Sequence, residues 1–453
     1  LAKPLARCGF VVLAIDLRGH GRSGGRLPEN WFHDLDRILE LRGAQPEVQA
    51  ALQYLKALPD VDGNRVALLG HSLGGLAAVN AACADADVAS VVALSAAPQM
   101  CDARRPRNLL LLAGDLDRLI PLPRFVSALR RAAGGLLSEA GIRYGKLKQG
   151  TGRQLWVAHW VSHLSPLFDP AVSRRAVHWA AFSVGHNPGP VSSGRLLGID
   201  WAVFTAVLAG GVACTVMLKH LAARILPAIV VSRGSWGRAA IALALCVATA
   251  PAAAFLGDCL PSVGVLDAAA MLALFALLAL VWMAAALSAG GWKRTDDANH
   301  SPAPFRGAAV GMLAVLLSIA WLGLPFGATW MDLTPGSRRT TVGLLLVPLL
   351  LPCNLLLAWG IQRAVPARGR WFGVVRGLAW MAIPVAVWLG SELFNGRHPF
   401  FGIAVTLLAA AFLPVLPLWL VQDRKGMTMA RAVSLAASAA WLFACHLPFV
   451  RGG

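Results

Sequence analysis

The sequence predicts two parts of different fold class: an α/β domain with a parallel sheet, then an all-α transmembrane domain of about eight helices. Over the first 185 residues, short apolar runs typical of buried strands alternate with helical stretches, which predicts parallel strands joined by helices. From about residue 196, long uncharged apolar runs replace this alternation. We therefore assign residues 1–185 to the α/β domain, 186–198 to a linker and 199–453 to the helical domain.

Five apolar runs in the first part are candidate strands of the parallel sheet. They are residues 10–16, 65–70, 88–95, 108–114 and 154–159. Helices are predicted between them. Residues 46–59 begin with a proline and place Val48, Leu52 and Leu55 on one face, and residues 123–137 repeat this pattern before glycines end it.

The pattern G-x-S-x-G, which can hold a nucleophilic serine on a sharp turn from a strand to a helix, occurs twice, around Ser23 and Ser72. Because the chain has 45 glycines, spacing alone cannot choose between the two serines. Ser72 follows a candidate strand and precedes small residues suited to a helix, whereas loop-forming residues follow Ser23. We interpret Ser72 as the nucleophile, with Gly70 and Gly74 relieving steric crowding at the turn.

Residues 1 to about 185 resemble an α/β-hydrolase that lacks its beginning. The likeness is carried by four segments: GFVVLAIDLRGHGRS, VALLGHSLGG with the nucleophile, LLLLAGDLDRLIP with the acid, and HLSPLFDP with the histidine. The order Ser, Asp, His also matches the order in that family. The resemblance implies a serine hydrolase that works through an acyl-enzyme, and it assigns Ser23 to a structural loop. It also implies that the first strands of the fold precede Leu1.

A serine hydroxyl needs a base to take its proton and a buried acid to orient that base. The family pattern places the functional carboxylate three residues after Gly114, which gives Asp117, with Asp115 as the alternative. For the base, His163 fits best because it lies in a loop just past a candidate strand, with His159 as the second choice.

Two further histidines follow the acid, His178 on a predicted helix and His186 beyond it, and such residues usually have structural roles. The spacing His159-x-x-x-His163 could place two metal ligands on one helix face. However, the segment is typical of a strand, it lacks the glutamate of H-E-x-x-H, and no second cysteine or histidine cluster offers further ligands. We expect no metal and no other cofactor.

The backbone N–H of Leu73, directly after the nucleophile, is the expected donor to the oxyanion of the transition state. In the family the second donor comes from a loop upstream of this sequence, and losing one donor costs on the order of 100-fold to 1000-fold in turnover. We therefore expect residues 1–453 by themselves to be nearly inactive. The 45 positions between Ser72 and Asp117 leave little room for a lid, which predicts an open cleft for bulky or membrane-borne substrates.

Eight apolar runs in the second part predict membrane helices, since a span of roughly 30 Å needs about 20 residues at 1.5 Å each. They are residues 201–218, 239–257, 268–292, 307–331, 340–362, 377–391, 399–422 and 432–450. The run at 377–391 is the shortest of them. Soluble core helices are the alternative, but eight such runs favour an integral membrane protein, which we place in a bacterial plasma membrane.

The formal net charge of +18 is divided between the two parts, +8 on the first and +10 on the second, where the basic residues lie beside the spans, so no nucleic-acid partner is needed. Fourteen Lys and Arg residues fall in alternate loops of the predicted topology, against four on the opposite side. By the positive-inside rule the fourteen face the cytoplasm, which places the hydrolase domain on the extracytoplasmic side.

The function that fits these features is a membrane-anchored serine hydrolase of ester, thioester or amide bonds. Its expected partners are a small-molecule or lipid acyl substrate and the surrounding membrane lipids. Two alternatives stay open: a transporter or receptor-like membrane protein with an inactive hydrolase-like domain, and an acyltransferase using the same three residues. The spans lack a carboxylate or lysine deep in the membrane, which argues against an ion-coupled carrier.

Overall fold

The computed structural model divides the chain into two compact units, Leu1–Asp200 and Trp201–Gly452. The residues that it describes are 1–28, 45–135, 138–163, 165–167, 169–189, 201–226, 235–258, 268–288, 303–318, 337–365, 372–394, 411–412, 415–420, 427–446 and 450–451. Most of the predicted linker at 186–198 therefore lies outside the described residues.

The first unit contains a five-stranded, mostly parallel sheet with the strand order β1-β2-β3-β5-β4. The strands are β1 (Val66–His71), β2 (Val88–Leu94), β3 (Leu109–Gly114), β4 (Arg143–Tyr144) and β5 (Arg153–Ala158). Only β4 is antiparallel to its neighbour. Four of the five predicted strands are thus confirmed, with bounds within one or two residues of the prediction.

The two central strands, β2 and β3, consist of apolar residues that are buried along their whole length. Strands with helices on both faces have this composition because neither face contacts water. In the register, His71 lies opposite Leu94, and Gly114 lies opposite Ala158. The carboxyl ends of β1, β3 and β5 consequently lie along one edge of the sheet, and the loops that follow these strands meet there.

The predicted strand at residues 10–16 is absent, so this prediction was wrong. Its residues alternate as in a strand: Phe10 and Val12 pack towards the core, whereas Val11 and Leu13 are exposed. A strand also needs a hydrogen-bonded neighbour, and a cavity of about 600 Å³ is lined by both this segment and β1. The apolar pattern is therefore present without the backbone pairing.

Five helices of the first unit are described: α1 (Ala2–Arg7), α2 (Gln45–Lys56), α3 (Leu73–Ala84), α4 (Leu122–Ala132) and α5 (Pro170–Ser183). The helices predicted at 46–59 and 123–137 are confirmed as α2 and α4. Helix α5 begins at Pro170 because Asp169 caps it, its carboxylate accepting from the N–H groups of Ala171 at 2.7 Å and Val172 at 2.9 Å. Leu27–Pro28 is a further two-residue strand.

Eight helices are described in the second unit. They are α6 (Trp201–Ile225), α7 (Trp236–Asp258), α8 (Ala268–Leu287), α9 (Ala303–Ser318), α10 (Ser337–Ala364), α11 (Phe372–Phe394), α12 (Leu416–Leu420) and α13 (Met427–His446), and Val450–Arg451 is a short strand. Their core is apolar and includes the fully buried rings of Trp282, Trp380 and Phe412.

Four helical segments among the described residues are long and apolar enough to cross a membrane: Trp236–Leu256, Ala270–Leu287, Thr340–Ala364 and Gly373–Ser391. They correspond to four of the eight predicted runs, including the short one at 377–391. Three of the other runs, 307–331, 399–422 and 432–450, extend outside the described residues. The prediction of about eight spans is therefore not confirmed, and the membrane orientation derived from it stays a prediction.

Arg376 and Arg431 are two of the fourteen basic residues that the predicted topology places in loops, but both lie inside helices and are fully buried. Arg376 of α11 donates a hydrogen bond from Nη2 to the carbonyl oxygen of Gln362 at 2.6 Å. Arg431 of α13 donates to the carbonyl oxygen of Leu418, and its guanidinium lies 4.0 Å from the ring centroid of Trp419. Backbone carbonyls and an aromatic face stabilise these charges away from water.

Candidate active site

Ser72 lies at the sharp turn between β1 and α3, with φ 52° and ψ −120°. A positive φ is strained for a residue with a Cβ and often marks a functional turn. The N–H of Ser72 donates to the carbonyl oxygen of Leu94 at 2.8 Å, which ties the turn to β2. The side chain of Ser72 is thereby held at the carboxyl edge of the sheet.

Glycine is required at two positions of this turn. A Cβ at Gly70 would collide with the backbone carbonyl of Gly74, and a Cβ at Gly75 would lie 2.7 Å from the Cβ of Ala96. Nothing lies within 4 Å of a Cβ built at Gly74, so the predicted crowding at Gly74 is wrong. The helix approaches the sheet one residue later than the motif suggests.

The structure brings Ser72, His163 and Asp117 together. The Nε2 atom of His163 lies 2.9 Å from Oγ of Ser72, and its Nδ1 atom lies 2.9 Å and 3.1 Å from the two carboxylate oxygens of Asp117. The side chains of His163 and Asp117 are 8% and 0% exposed. A buried carboxylate on Nδ1 selects the tautomer whose Nε2 can accept the serine proton.

Asp117 is held by the loop that follows β3. Its Oδ1 accepts from the backbone N–H groups of Leu119 at 3.1 Å and Ile120 at 3.0 Å, in addition to the imidazole. These donors compensate for the loss of water around a buried carboxylate. The acid is therefore fixed in position by its own loop before it contacts the histidine.

The two alternatives from the sequence, Asp115 and His159, pair with each other and not with Ser72. Nδ1 of His159 lies 3.1 Å from Oδ2 of Asp115, and the other carboxylate oxygen accepts from the N–H of Val161 at 3.4 Å. Burial raises the pKa of the Asp115 carboxyl, but hydrogen bonds from His159, Val161 and Trp160 outweigh this effect, and the pKa lies below its usual value. This pair connects the loops after β3 and β5.

The remaining candidates lie elsewhere. His178, on α5, stacks on the ring of Phe182 with 5.6 Å between centroids, and Nε2 of His186 lies 2.7 Å from the carbonyl oxygen of Cys8. Ser23 lies in a loop, where its hydroxyl donates to the carbonyl oxygen of Asp16 at 2.6 Å. Within the described residues, no group of three His, Cys, Asp or Glu side chains could hold a metal ion.

His71, which sequence reasoning missed, links the nucleophile turn to the histidine loop. Its Nε2–H donates to the backbone carbonyl of His163 at 2.6 Å, and the two imidazole centroids are 5.1 Å apart. Burial, together with the nearby His163, lowers the pKa of His71 to about 4, so the ring is neutral at pH 7. The available signal was a polar residue at the end of an apolar strand, directly before the nucleophile.

Leu73 is the first residue of α3. The first N–H groups of a helix have no partner within the helix, and the positive end of the helix dipole favours an anion. The position of Leu73 therefore meets the general requirement for a donor to an oxyanion formed at Ser72.

Comparison with known proteins agrees with the fold of the first unit. Residues 1–158 match the sequence model of the alpha/beta hydrolase family. The first unit contains an α/β-hydrolase domain. The matched range of this hydrolase domain includes Ser72 and Asp117 and ends before His163, and the family supports a hydrolase-type function. No curated protein and no solved structure matched the chain.

Proposed function

We propose that the protein is a membrane-anchored serine hydrolase that cleaves ester, thioester or amide bonds through an acyl-enzyme. The observation that supports this most strongly is the continuous hydrogen-bond chain from Oγ of Ser72 through the imidazole of His163 to the carboxylate of Asp117. Three residues of the required types, in the required order of contact, are brought together from three separate loops. Such an arrangement activates a serine hydroxyl that is otherwise a poor nucleophile.

In the proposed reaction, Oγ of Ser72 attacks the acyl carbonyl carbon while Nε2 of His163 takes the hydroxyl proton. The tetrahedral intermediate collapses, the bond to the leaving group breaks, and His163 gives its proton to that group. His163 then takes a proton from water, whose oxygen attacks the acyl carbon of the acyl-enzyme. As this second tetrahedral intermediate collapses, the bond to Oγ of Ser72 breaks and His163 returns the proton to Oγ, which releases the acid product and restores free Ser72 and neutral His163. Asp117 stays ionised throughout and stabilises the imidazolium that forms in each half-reaction.

The N–H of Leu73 is the proposed donor to the oxygen that becomes negative in each tetrahedral intermediate. A donor of this kind accelerates the reaction because its bond strengthens as charge develops on that oxygen. We infer no metal and no cofactor in this mechanism, since nucleophile, base and acid are all supplied by side chains.

The second unit supports a membrane anchor. Its four candidate spans have mean hydropathies between 1.5 and 2.5, yet only 39–44% of each span is buried. Large apolar side chains such as Leu344, Phe255 and Leu378 are consequently 67–69% exposed. Lipid is the solvent in which such a surface is stable. We propose an integral protein of a bacterial plasma membrane, with the hydrolase domain outside the cytoplasm and a small-molecule or lipid acyl substrate.

Labelling with a fluorophosphonate, which reacts with activated serines, tests the proposal in native membranes. We expect labelling of the unmodified protein and of the Ser23→Ala variant, because Ser23 binds only its own loop in the described structure. The Ser72→Ala variant should not be labelled. Labelling that survives in Ser72→Ala, or its absence from folded unmodified protein, contradicts the proposed function.

A further inference from the structure

An open groove of about 680 Å³ lies on the hydrolase domain away from the proposed triad. Its walls come from β4, β5 and α5, and it includes neither Ser72, Asp117 nor His163. The proposed catalytic reaction leaves this groove without a role.

Positive charge converges on this groove. Arg143, Arg174, Arg175 and His178 line it, and no Asp or Glu is among its lining residues. Within the described part of the chain, none of the three arginines forms a salt bridge with a carboxylate. Three guanidinium groups at one groove without a neutralising acid create a positive potential that attracts an anion.

The side chain of Arg175 packs on an aromatic ring, but one of its nitrogen atoms has no hydrogen-bond partner among the described residues. Its guanidinium carbon lies 5.9 Å from the ring centroid of Trp156, as in a cation–π contact. Its Nε atom is buried and has no hydrogen-bond partner among the described residues. The contact with Trp156 holds the Arg175 side chain at the wall of the groove, where its positive charge attracts an anion.

Aromatic surface lies next to these cations. Trp156, Trp179 and Phe182 all line the groove. His178 stacks on Phe182 with an interplanar angle of 20°, and Phe182 is 48% exposed. The groove therefore offers an apolar wall beside a cationic one, which suits a ligand with both characters.

We propose that this groove binds a phosphate group attached to an apolar or aromatic moiety. Guanidinium forks match phosphate oxygens in pairs, and a phosphate monoester carries enough charge and acceptors for several of them. Two kinds of ligand carry a phosphate next to an apolar group: a soluble organic phosphate, and an anionic lipid with its phosphate headgroup. The inference does not depend on the proposed triad, because no triad residue lines the groove.

Calorimetric titration of the full chain in detergent, at constant ionic strength, tests the site. The probes are phenyl phosphate, inorganic phosphate, and mixed micelles that contain phosphatidic acid or phosphatidylcholine. We expect saturable binding of phenyl phosphate, tighter than that of inorganic phosphate. If the natural ligand is a lipid headgroup, phosphatidic acid should compete with phenyl phosphate for the groove. If the natural ligand is a soluble phosphate, phosphatidic acid should not compete. Phosphatidylcholine should compete in neither case.

The double variant Arg174→Gln with Arg175→Gln removes two forks and should weaken phenyl phosphate binding at least about tenfold. Arg143→Gln changes only the exposed two-residue strand β4, so it is a second test that leaves the core intact, and weaker binding is expected there too. The matched control is Arg104→Gln, since Arg104 is exposed and does not line the groove. Fluorophosphonate labelling of Ser72 should be unchanged in every variant.

Three outcomes overturn the proposal. The first is the absence of saturable binding of phenyl phosphate and phosphatidic acid to the unmodified chain. The second is equal weakening in Arg104→Gln, which would indicate general attraction to a chain of net charge +18. The third is unchanged binding in both Arg143→Gln and the double variant.

Discussion

The hydrolase domain contains two His–Asp pairs that are built from the same two loops and differ in burial. Asp115 and Asp117 both follow β3, and His159 and His163 both follow β5. The shortest distances from Nδ1 to the carboxylate are similar, 3.1 Å for the first pair and 2.9 Å for the second. The side chain of His159 is 84% exposed, however, whereas that of His163 is 8% exposed.

A His–Asp hydrogen bond does not by itself define a catalytic pair. Only His163 presents its second nitrogen to a serine, and only Asp117 is removed from water. In the exposed pair, water screens the interaction and competes for both groups. The exposed pair instead connects two loops beside Trp160, a residue with φ of 61°.

The largest difference in activity is expected between variants of the two histidines. Replacing His163 with alanine removes the proposed base and should lower kcat/KM by on the order of 10⁶-fold, because loss of the base is nearly equivalent to loss of the whole triad. His159→Ala should retain activity close to that of the unmodified protein. Hydrolysis of a chromogenic short-chain ester in isolated membranes measures both variants.

Protein amount and melting temperature are the controls for this pair of variants, since a misfolded His163→Ala protein would also be inactive. Equal losses in the two variants, with both proteins folded, would mean that the exposed histidine also contributes to catalysis. A normal rate in His163→Ala would exclude it as the base.

The second contrast is between the two carboxylates, and its expected size is smaller. Asp117→Asn keeps the shape but no longer fixes the imidazole tautomer, and kcat should fall on the order of 10⁴-fold. Asp115→Asn, the matched control, should leave kcat close to the unmodified value. A pH profile of kcat for each variant is the measurement, and a larger loss in Asp115→Asn than in Asp117→Asn would reverse the assignment.

Local signals in the sequence located most of the fold and the three residues that the structure brings together. The strand that ends at His71 and the helix that begins at Leu73 could be predicted because each has its own apolar pattern and the motif lies between them. The choice of Asp117 over Asp115 relied on the family pattern, and the choice of His163 over His159 relied on its position in a loop past the candidate strand. Burial decides which pair contacts the serine, and burial depends on residues distant in sequence.

Contacts between segments distant in sequence were not predictable from these local signals. Residues 10–16 have the composition of a strand, but whether they pair depends on their distance from β1. The fit of Gly75 against Ala96 and the burial of Arg376 depend in the same way on packing between elements. The bond from His71 to the carbonyl of His163 spans 92 positions of the chain.

The smallest difference between the two His–Asp pairs is expected from His71, which contacts only the buried pair among the described residues. Its pKa is about 4 in the folded protein, against about 6.5 for an unperturbed histidine. Between these values the unfolded chain binds more protons than the folded chain. The contribution of His71 to stability is therefore complete above pH 6.5, and up to roughly 3 kcal/mol is lost as the pH falls towards 4.

Two substitutions separate the proton effect from the hydrogen bond. His71→Gln retains an N–H donor for the carbonyl of His163 but does not titrate, so its melting temperature should depend less on pH between 4 and 6.5 and its kcat should stay near normal. His71→Phe loses the donor, and displacement of the His163 loop should lower kcat by up to about 100-fold. Melting curves of the full chain in detergent across this pH range, with kcat at pH 7.5, measure both effects. If His71→Gln and the unmodified protein lose stability in parallel with falling pH, another group is responsible; if His71→Phe keeps full kcat, His71 does not position His163.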